Sequence, residues 1–226
     1  MGKKKPVVLL VNPPIYDFSA YDFWLKPYGL LRAAGRLRGR CELKLFDYMD
    51  RWSPDIGGGP GGRCDAWGRG PYPTERCTKP AVFGGIPRYY CRHGRARADF
   101  QRYLAGLKGV SAVLIQTVMT YWYPGVREVI EDVRRYCPEA KIVLGGFYAT
   151  CCAGHVKSLG ADVVVEGGRL GPVYEMLGIE ASEGYCPPAW ELYPVLKTAV
   201  MTLTEGCPFR CSYCYVPQSG VRFGVR

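Results

Sequence analysis

Three cysteines carry the sharpest chemical signal in the chain. They stand as Cys207-Pro208-Phe209-Arg210-Cys211-Ser212-Tyr213-Cys214, a C-x3-C-x2-C spacing. With 11 cysteines in 226 residues, both spacings coincide by accident in only about 3% of such sequences, so the triplet reads as a motif. Three thiolates on one short loop can hold three irons of a cubane 4Fe–4S cluster. The fourth iron then stays open to a substrate or cofactor. A structural zinc site needs four closed ligands, so the fourth would have to come from elsewhere. The remaining reading is a set of inert, packed thiols.

The other candidate ligands are less ordered. Cys64, Cys77 and Cys91 lie at spacings of 13 and 14 residues and could join His93 in a second metal site. That spacing matches no metal knuckle, and loop thiols without a role are the simpler reading. Cys151 and Cys152 are adjacent, too strained for an ordinary disulfide. His93 and His155 are the only histidines, and neither has a Ser/Asp or Cys arrangement beside it that would argue nucleophilic catalysis. An odd cysteine count in a chain without a secretion signal points to reduced thiols or metal ligands.

The elements that must position these residues alternate as in a parallel α/β sheet. Val7 to Val11, Cys41 to Tyr48, Ser111 to Val118, Lys141 to Leu144 and Ala161 to Val165 are predicted strands. Predicted helices run from Tyr28 to Arg38, Asp99 to Leu107, Gly125 to Tyr136, Cys152 to Leu159 and Pro172 to Leu177. Apolar residues at helical spacing mark them, as with Leu30, Leu31, Ala34 and Leu37. This predicts a doubly wound, flavodoxin- or Rossmann-like domain over residues 1–179, with a five-stranded parallel sheet. Ligands in such sheets bind beyond the carboxyl ends of the strands, at the switch in strand order. The loops Asn12 to Pro14, Thr117 to Pro124 and Gly145 to Ala149 would converge there.

Two stretches interrupt the pattern. Residues 51–97 carry Gly57-Gly58-Gly59, Gly61-Gly62, Gly84-Gly85 and repeated prolines without periodicity, and read as a long insertion. Residues 180–197, with Pro187-Pro188 and Pro194, read as a linker. Thr198 to Leu203 is strand-like again and leads into the cysteine triplet.

Composition narrows the class. Hydrophobic residues are 48% and charged residues 22%, which excludes wholesale disorder. No apolar run reaches the length of a membrane-spanning helix. The start, Lys3-Lys4-Lys5 then Val7 to Val11, imitates a signal peptide but stops at Asn12-Pro13-Pro14 without a cleavage site. A cytoplasmic protein is the expectation. The net charge is +10, and residues 51–110 hold eleven basic against four acidic side chains. Clustered arginine can be the footprint of nucleic-acid binding. A solvated, Arg-rich insertion is the more common meaning of such a run.

The motif and its surroundings resemble the radical S-adenosylmethionine enzymes that carry an N-terminal cobalamin (B12)-binding-like domain. The resemblance rests on Cys207, Cys211 and Cys214 after a strand-like segment, and on the aromatic Tyr213 before the last Cys. It extends to Leu203-Thr204-Glu205-Gly206, to Tyr121-Trp122-Tyr123-Pro124-Gly125-Val126, and to Gly145-Gly146. It implies a 4Fe–4S cluster on the three cysteines, with S-adenosylmethionine chelated at the open iron and cleaved to methionine and a 5′-deoxyadenosyl radical. Tyr213 would lie against the adenine, with ordinary packing as its alternative role. Gly145 and Gly146 would let the backbone approach the nucleotide tail of cobalamin, and Thr117 sits where the family's S-x-L segment falls. The implied reaction is radical hydrogen abstraction, with cobalamin-dependent methyl transfer to carbon or phosphorus as an extension. Implied partners are an electron donor such as flavodoxin or ferredoxin and a small-molecule or peptide substrate; no membrane or nucleic acid is implied.

Two departures from the family pattern stand out. Only twelve residues follow Cys214, whereas a full barrel of this type takes about 250. The expectation is a fragment of a longer enzyme, with residues 198–226 supplying only the first barrel strand and cluster loop. Such a chain alone is expected to be inactive. The family's D-x-H-x-x-G after the first strand, with its cobalt-binding His, is replaced by Asn12-Pro13-Pro14-Ile15-Tyr16. Cobalamin would therefore bind without a His from that loop, or binding has been lost. The rival readings are a non-catalytic cobalamin- or nucleotide-binding module with a zinc-holding cysteine loop, and a basic nucleic-acid-binding protein.

Overall fold

A computed structural model describes residues 4–24, 26–54, 64–216 and 222–225. The glycine runs at 57–59 and 61–62, and Lys3, lie outside these residues. Five parallel strands form the main sheet: β1 (Val7–Asn12), β4 (Glu42–Asp47), β8 (Val110–Thr117), β9 (Lys141–Gly146) and β10 (Val163–Val165). Their order is β4-β1-β8-β9-β10. In sequence rank this is second, first, third, fourth, fifth, the flavodoxin-type order with its switch point between β1 and β8. The register carries Asn12 opposite Asp47 and Thr117 opposite Gly146, so all these residues stand at the carboxyl edge.

The continuous apolar runs in the sequence are explained by burial on both faces of the sheet. Leu9, Val11 and Ile115 face α2 (Arg97–Gly106), α3 (Tyr123–Tyr136) and the short helices α4 (Phe147–Cys151) and α5 (Ala153–Ser158), through Phe100, Val129, Val133 and Val156. Val8, Leu10, Leu114 and Val143 face α1 (Tyr28–Leu37) and α6 (Gly171–Leu177), through Leu30, Ala34, Leu37 and Val173. Each fully buried Leu or Ile among them stabilises the fold by roughly 1.5–3 kcal/mol. Among the described residues no helix is long and apolar enough to cross a membrane.

Several elements differ from the sequence expectation, each for a physical reason. The helix expected from Cys152 to Leu159 is two short helices, because Cys152 adopts an extended φ of −131° between them. The fifth strand begins at Val163 rather than Ala161. The Asp162 carboxylate caps the end of β9 by accepting from Ile142 N–H at 2.7 Å and from Arg134 at 2.8 Å. The insertion is not structureless. β6 (Thr74–Arg76) and β7 (Cys91–His93) join β2 (Ile15–Asp17) in an antiparallel sheet of order β2-β7-β6, and β3 (Tyr21–Asp22) pairs with β5 (Gly70–Pro71). These strands are two or three residues long, too short to register as a periodicity.

The stretch read as a linker packs against α1. Ala189 N–H donates to Leu31 O at 3.0 Å, and Arg38 grips Glu191 with two bonds of 2.7 and 2.9 Å. Gly35 of α1 permits this crossing, since a Cβ there would stand 2.1 Å from Pro187 O. Among the described residues, Thr198–Leu203 forms no strand. A strand needs a neighbour to accept its backbone bonds. Thr204–Glu205 (β11) has such a neighbour, pairing with Gly224–Val225 (β12).

Candidate functional site

A cleft of about 430 Å³ opens between α1 and α6 above the carboxyl halves of β8, β9 and β10. Its floor is apolar: Leu114, Val143, Val165, Leu170 and Val173. Five glycines, Gly29, Gly145, Gly146, Gly167 and Gly168, are among its lining. Three arginines stand around it, Arg32 and Arg36 from α1 and Arg169 from the loop after β10, with Glu205 as the acidic residue among its lining. This size suits one small organic ligand or part of a larger one.

Of the residues expected to contact a cofactor here, the glycines line the cleft and Thr117 does not. Gly146 has a φ of +122°, and a Cβ would fall 2.0 Å from Thr117 O, so close packing of β8 on β9 demands glycine. At Gly145 a Cβ would meet Val165 at an ordinary 3.4 Å. No backbone conformation or close approach demands glycine at this position. Thr117 is buried, and its hydroxyl donates to Gly145 O at 3.1 Å while accepting from Ala149 N–H at 3.0 Å. It therefore sets the β9–α4 turn from behind.

The segment that leads into the cysteine loop reaches this cleft through Glu205, which lines it. Arg32 on α1 pairs with Glu205 at 2.8 Å, two residues before Cys207. At the other end of the loop, Tyr215 meets Phe147 of α4 edge-on, with centroids 5.8 Å apart. Gly206 has a φ of +70° and lies against Arg222 O, at a distance (2.6 Å for a Cβ) that excludes any side chain. A turn bond from Cys214 N–H to Cys211 O at 3.1 Å shapes the loop. Cys207 and Cys214 are half-buried, Cys211 is exposed, and the Tyr213 ring is 90% exposed. Thiol access from solvent suits a loop that receives a metal, and ligand sets are seldom pre-assembled without one. Among the described residues no three His, Cys, Asp or Glu side chains converge as a metal site.

The second cysteine group is scattered. Cys91 is buried in β7, Cys64 takes a bond from Arg51 at 3.6 Å, and burial pushes the Cys77 thiol up. His93 is held in the small sheet by Thr74 at 3.0 Å and by Asp17 O at 3.3 Å. His155 bonds the Tyr148 hydroxyl and meets the Tyr123 ring edge-on. Neither histidine lines the cleft.

Two polar networks were not anticipated from the sequence. At the carboxyl edge of β1 and β4, buried Asp47 accepts from Asn12 at 2.7 Å, from Met49 N–H at 2.8 Å and from the Tyr193 hydroxyl at 2.5 Å. Burial pushes the Asp47 carboxyl up, against the pull of nearby Lys26. Lys26 itself pairs with Asp50 at 3.2 Å and lies over the Tyr193 ring. This network ties the docked linker to the switch point. The second joins the insertion to α3: Arg92 holds Glu128 through two bonds of 2.9 and 2.7 Å, and Tyr16 donates to the same carboxylate at 2.6 Å. Each partner lies far from the other in sequence, and the residue types are ordinary, so nothing local could have announced them.

The basic excess of the insertion is largely engaged within the fold. Arg51 reaches Asp22 and Gly68 O, Arg69 pairs with Asp65, Arg92 with Glu128, and Arg97 with Asp132. No protein-family model matches the chain, and no curated protein matches it in sequence.

Proposed function

We propose that this chain carries the cobalamin-binding-like domain and the cluster loop of a radical S-adenosylmethionine enzyme. The observation that supports the reading is that the residues flanking the C-x3-C-x2-C loop are tied to the glycine-lined domain, Glu205 to Arg32 of the cleft wall and Tyr215 to Phe147. In this reading Cys207, Cys211 and Cys214 hold three irons of a 4Fe–4S cluster. Tyr213, exposed beside them, is free to meet the adenine of S-adenosylmethionine. The apolar floor and Gly145 give the cleft the shape to take a cobalamin nucleotide tail, without a protein histidine on cobalt. When bound, the cluster and S-adenosylmethionine supply a radical for hydrogen abstraction and cobalamin supplies a methyl carrier. The chain's own contribution is to hold the two sites side by side.

Anaerobic reconstitution with iron and sulfide tests this. The expected product is brown and holds about four irons per chain. Replacing Cys207, Cys211 and Cys214 by Ala abolishes the colour, and replacing Cys64, Cys77 and Cys91 does not. A colourless protein that retains one zinc, or the opposite mutational pattern, overturns the cluster assignment. If cobalamin binds, H93A and H155A leave its visible spectrum unchanged; a shift in either places the pocket elsewhere.

A further inference from the structure

We propose that the groove on the small antiparallel sheet of the insertion is a docking surface for single-stranded nucleic acid. Bases stack on Tyr21 and Tyr89, and phosphates meet Arg76 and Arg88. This is independent of the cluster and cobalamin reading. The groove has a volume of about 540 Å³, and Tyr21, Thr74, Arg88, Tyr89, Cys91 and His93 are among its lining. Tyr21 is 40% and Tyr89 64% exposed, and the Phe23 ring lies beside Tyr21 with centroids 4.8 Å apart. The Arg76 guanidinium lies over Tyr89, 3.7 Å from the ring centre, so ring and cation form one platform.

Charge on this side of the sheet is of one sign. Directly opposed residues of an antiparallel pair share a face, and neighbours along a strand alternate. Thr74 opposite His93 and Arg76 opposite Cys91 therefore belong to the groove face. Glu75 stands opposite Arg92 on the other face, where Arg92 holds Glu128. The Asp17 carboxylate accepts from Trp122 Nε1–H at 2.8 Å and from Phe18 N–H at 2.7 Å, and Asp22 pairs with Arg51. Among the described residues Arg76 and Arg88 take part in no ion pair. Phosphate binding gains from counterion release, so well-solvated arginines contribute fully. Exposed ring faces add stacking, which unpaired bases alone can supply. A duplex hides its base faces, and a polyglutamate chain offers charge without a ring. A single strand uses both features of the groove.

Fluorescence anisotropy of the full chain with labelled oligothymidylate of about ten nucleotides, within the site size of such platforms, tests the surface. The other probes are an abasic strand of the same length, a duplex and polyglutamate. Oligothymidylate is expected to bind about tenfold more tightly than the abasic strand, and Y21L or Y89L each to weaken it about five- to tenfold. Y89F, which keeps the ring, should bind as wild type does and so separates stacking from damage to the fold. R76Q and R88Q should each lower the slope of log affinity against log salt by roughly 0.7. R102Q, on α2 outside the groove, should leave it unchanged. Equal binding of the abasic strand or of polyglutamate shows bare charge attraction and overturns the proposal. So does preference for the duplex, indifference to Y21L and Y89L, or an R102Q effect equal to that of R88Q. Failure to bind oligothymidylate at about 0.1 M salt overturns it as well. Iron reconstitution is read separately, so failure here leaves the cluster assignment standing.

Discussion

Arg32 and Glu205, 173 residues apart in sequence, meet at 2.8 Å and join the wall of the cleft to the cysteine loop. Arg32 belongs to α1, whose inner face is fixed in the core by Leu30, Leu31 and Ala34. Glu205 pairs in β11 and is followed by Gly206, whose left-handed backbone turns the chain into Cys207. A rigid helix thus provides the reference point for a loop that has little packing of its own.

Breaking that pair should loosen the loop without unfolding the domain. Both side chains are partly exposed, so R32E or E205R should change global stability by less than about 1 kcal/mol. Tryptic cleavage after Arg210 should accelerate several-fold in either single variant and slow again in the R32E/E205R charge swap. Equal cleavage rates in all four proteins would mean that the ion pair does not hold the loop.

The two glycines of the β9 end should respond differently to alanine. G146A places a Cβ on the Thr117 carbonyl and forces a left-handed φ, and should cost about 3 kcal/mol or more. G145A meets only an ordinary contact with Val165 and should cost less than about 1.5 kcal/mol, near the ordinary range for a volume-tolerant swap. G145L should fold and yet lose ligand uptake by the cleft. Urea midpoints and calorimetry on the same preparations check all three.

Buried and exposed ion pairs offer a second contrast. Glu128 compensates the buried Arg92 guanidinium, so E128Q should destabilise by about 3–5 kcal/mol. Arg102 pairs with Asp99 on the surface, and R102Q should cost less than about 1 kcal/mol. Thermal unfolding of both variants measures the difference.

His93 gives the fold an acid sensitivity with a definite sign. Burial holds its imidazole below the ordinary value, so the folded state resists the proton more than the unfolded chain does. Stability from this group is therefore complete above a pH of about 6.5, the ordinary histidine value, and is lost as pH falls through it toward the lower folded pKa. H93Q should flatten that part of the profile. Urea midpoints between pH 7.5 and 5 should converge if His93 is the responsible group, and should run parallel if it is not.

The sequence by itself determined the α/β class, the five parallel strands and the cysteine motif. Each is a local pattern: continuous Val and Leu runs such as Val7 to Val11 signal burial on both faces, helical spacing marks α1 and α3, and a metal-ligand spacing is read within eight residues. Tertiary structure alone decided what stands beside what. The Asp47–Tyr193 and Arg92–Glu128 contacts cross 146 and 36 residues, and only the folded chain reveals that they pin the linker and the insertion. The bonds of the Thr117 hydroxyl to Gly145 O and Ala149 N–H likewise depend on the register of β8 against β9. The short strands of the insertion escaped because two or three residues cannot carry a period. The juxtaposition of cleft and cysteine loop escaped because Arg32 and Glu205 are unremarkable residues until the fold places their charges together.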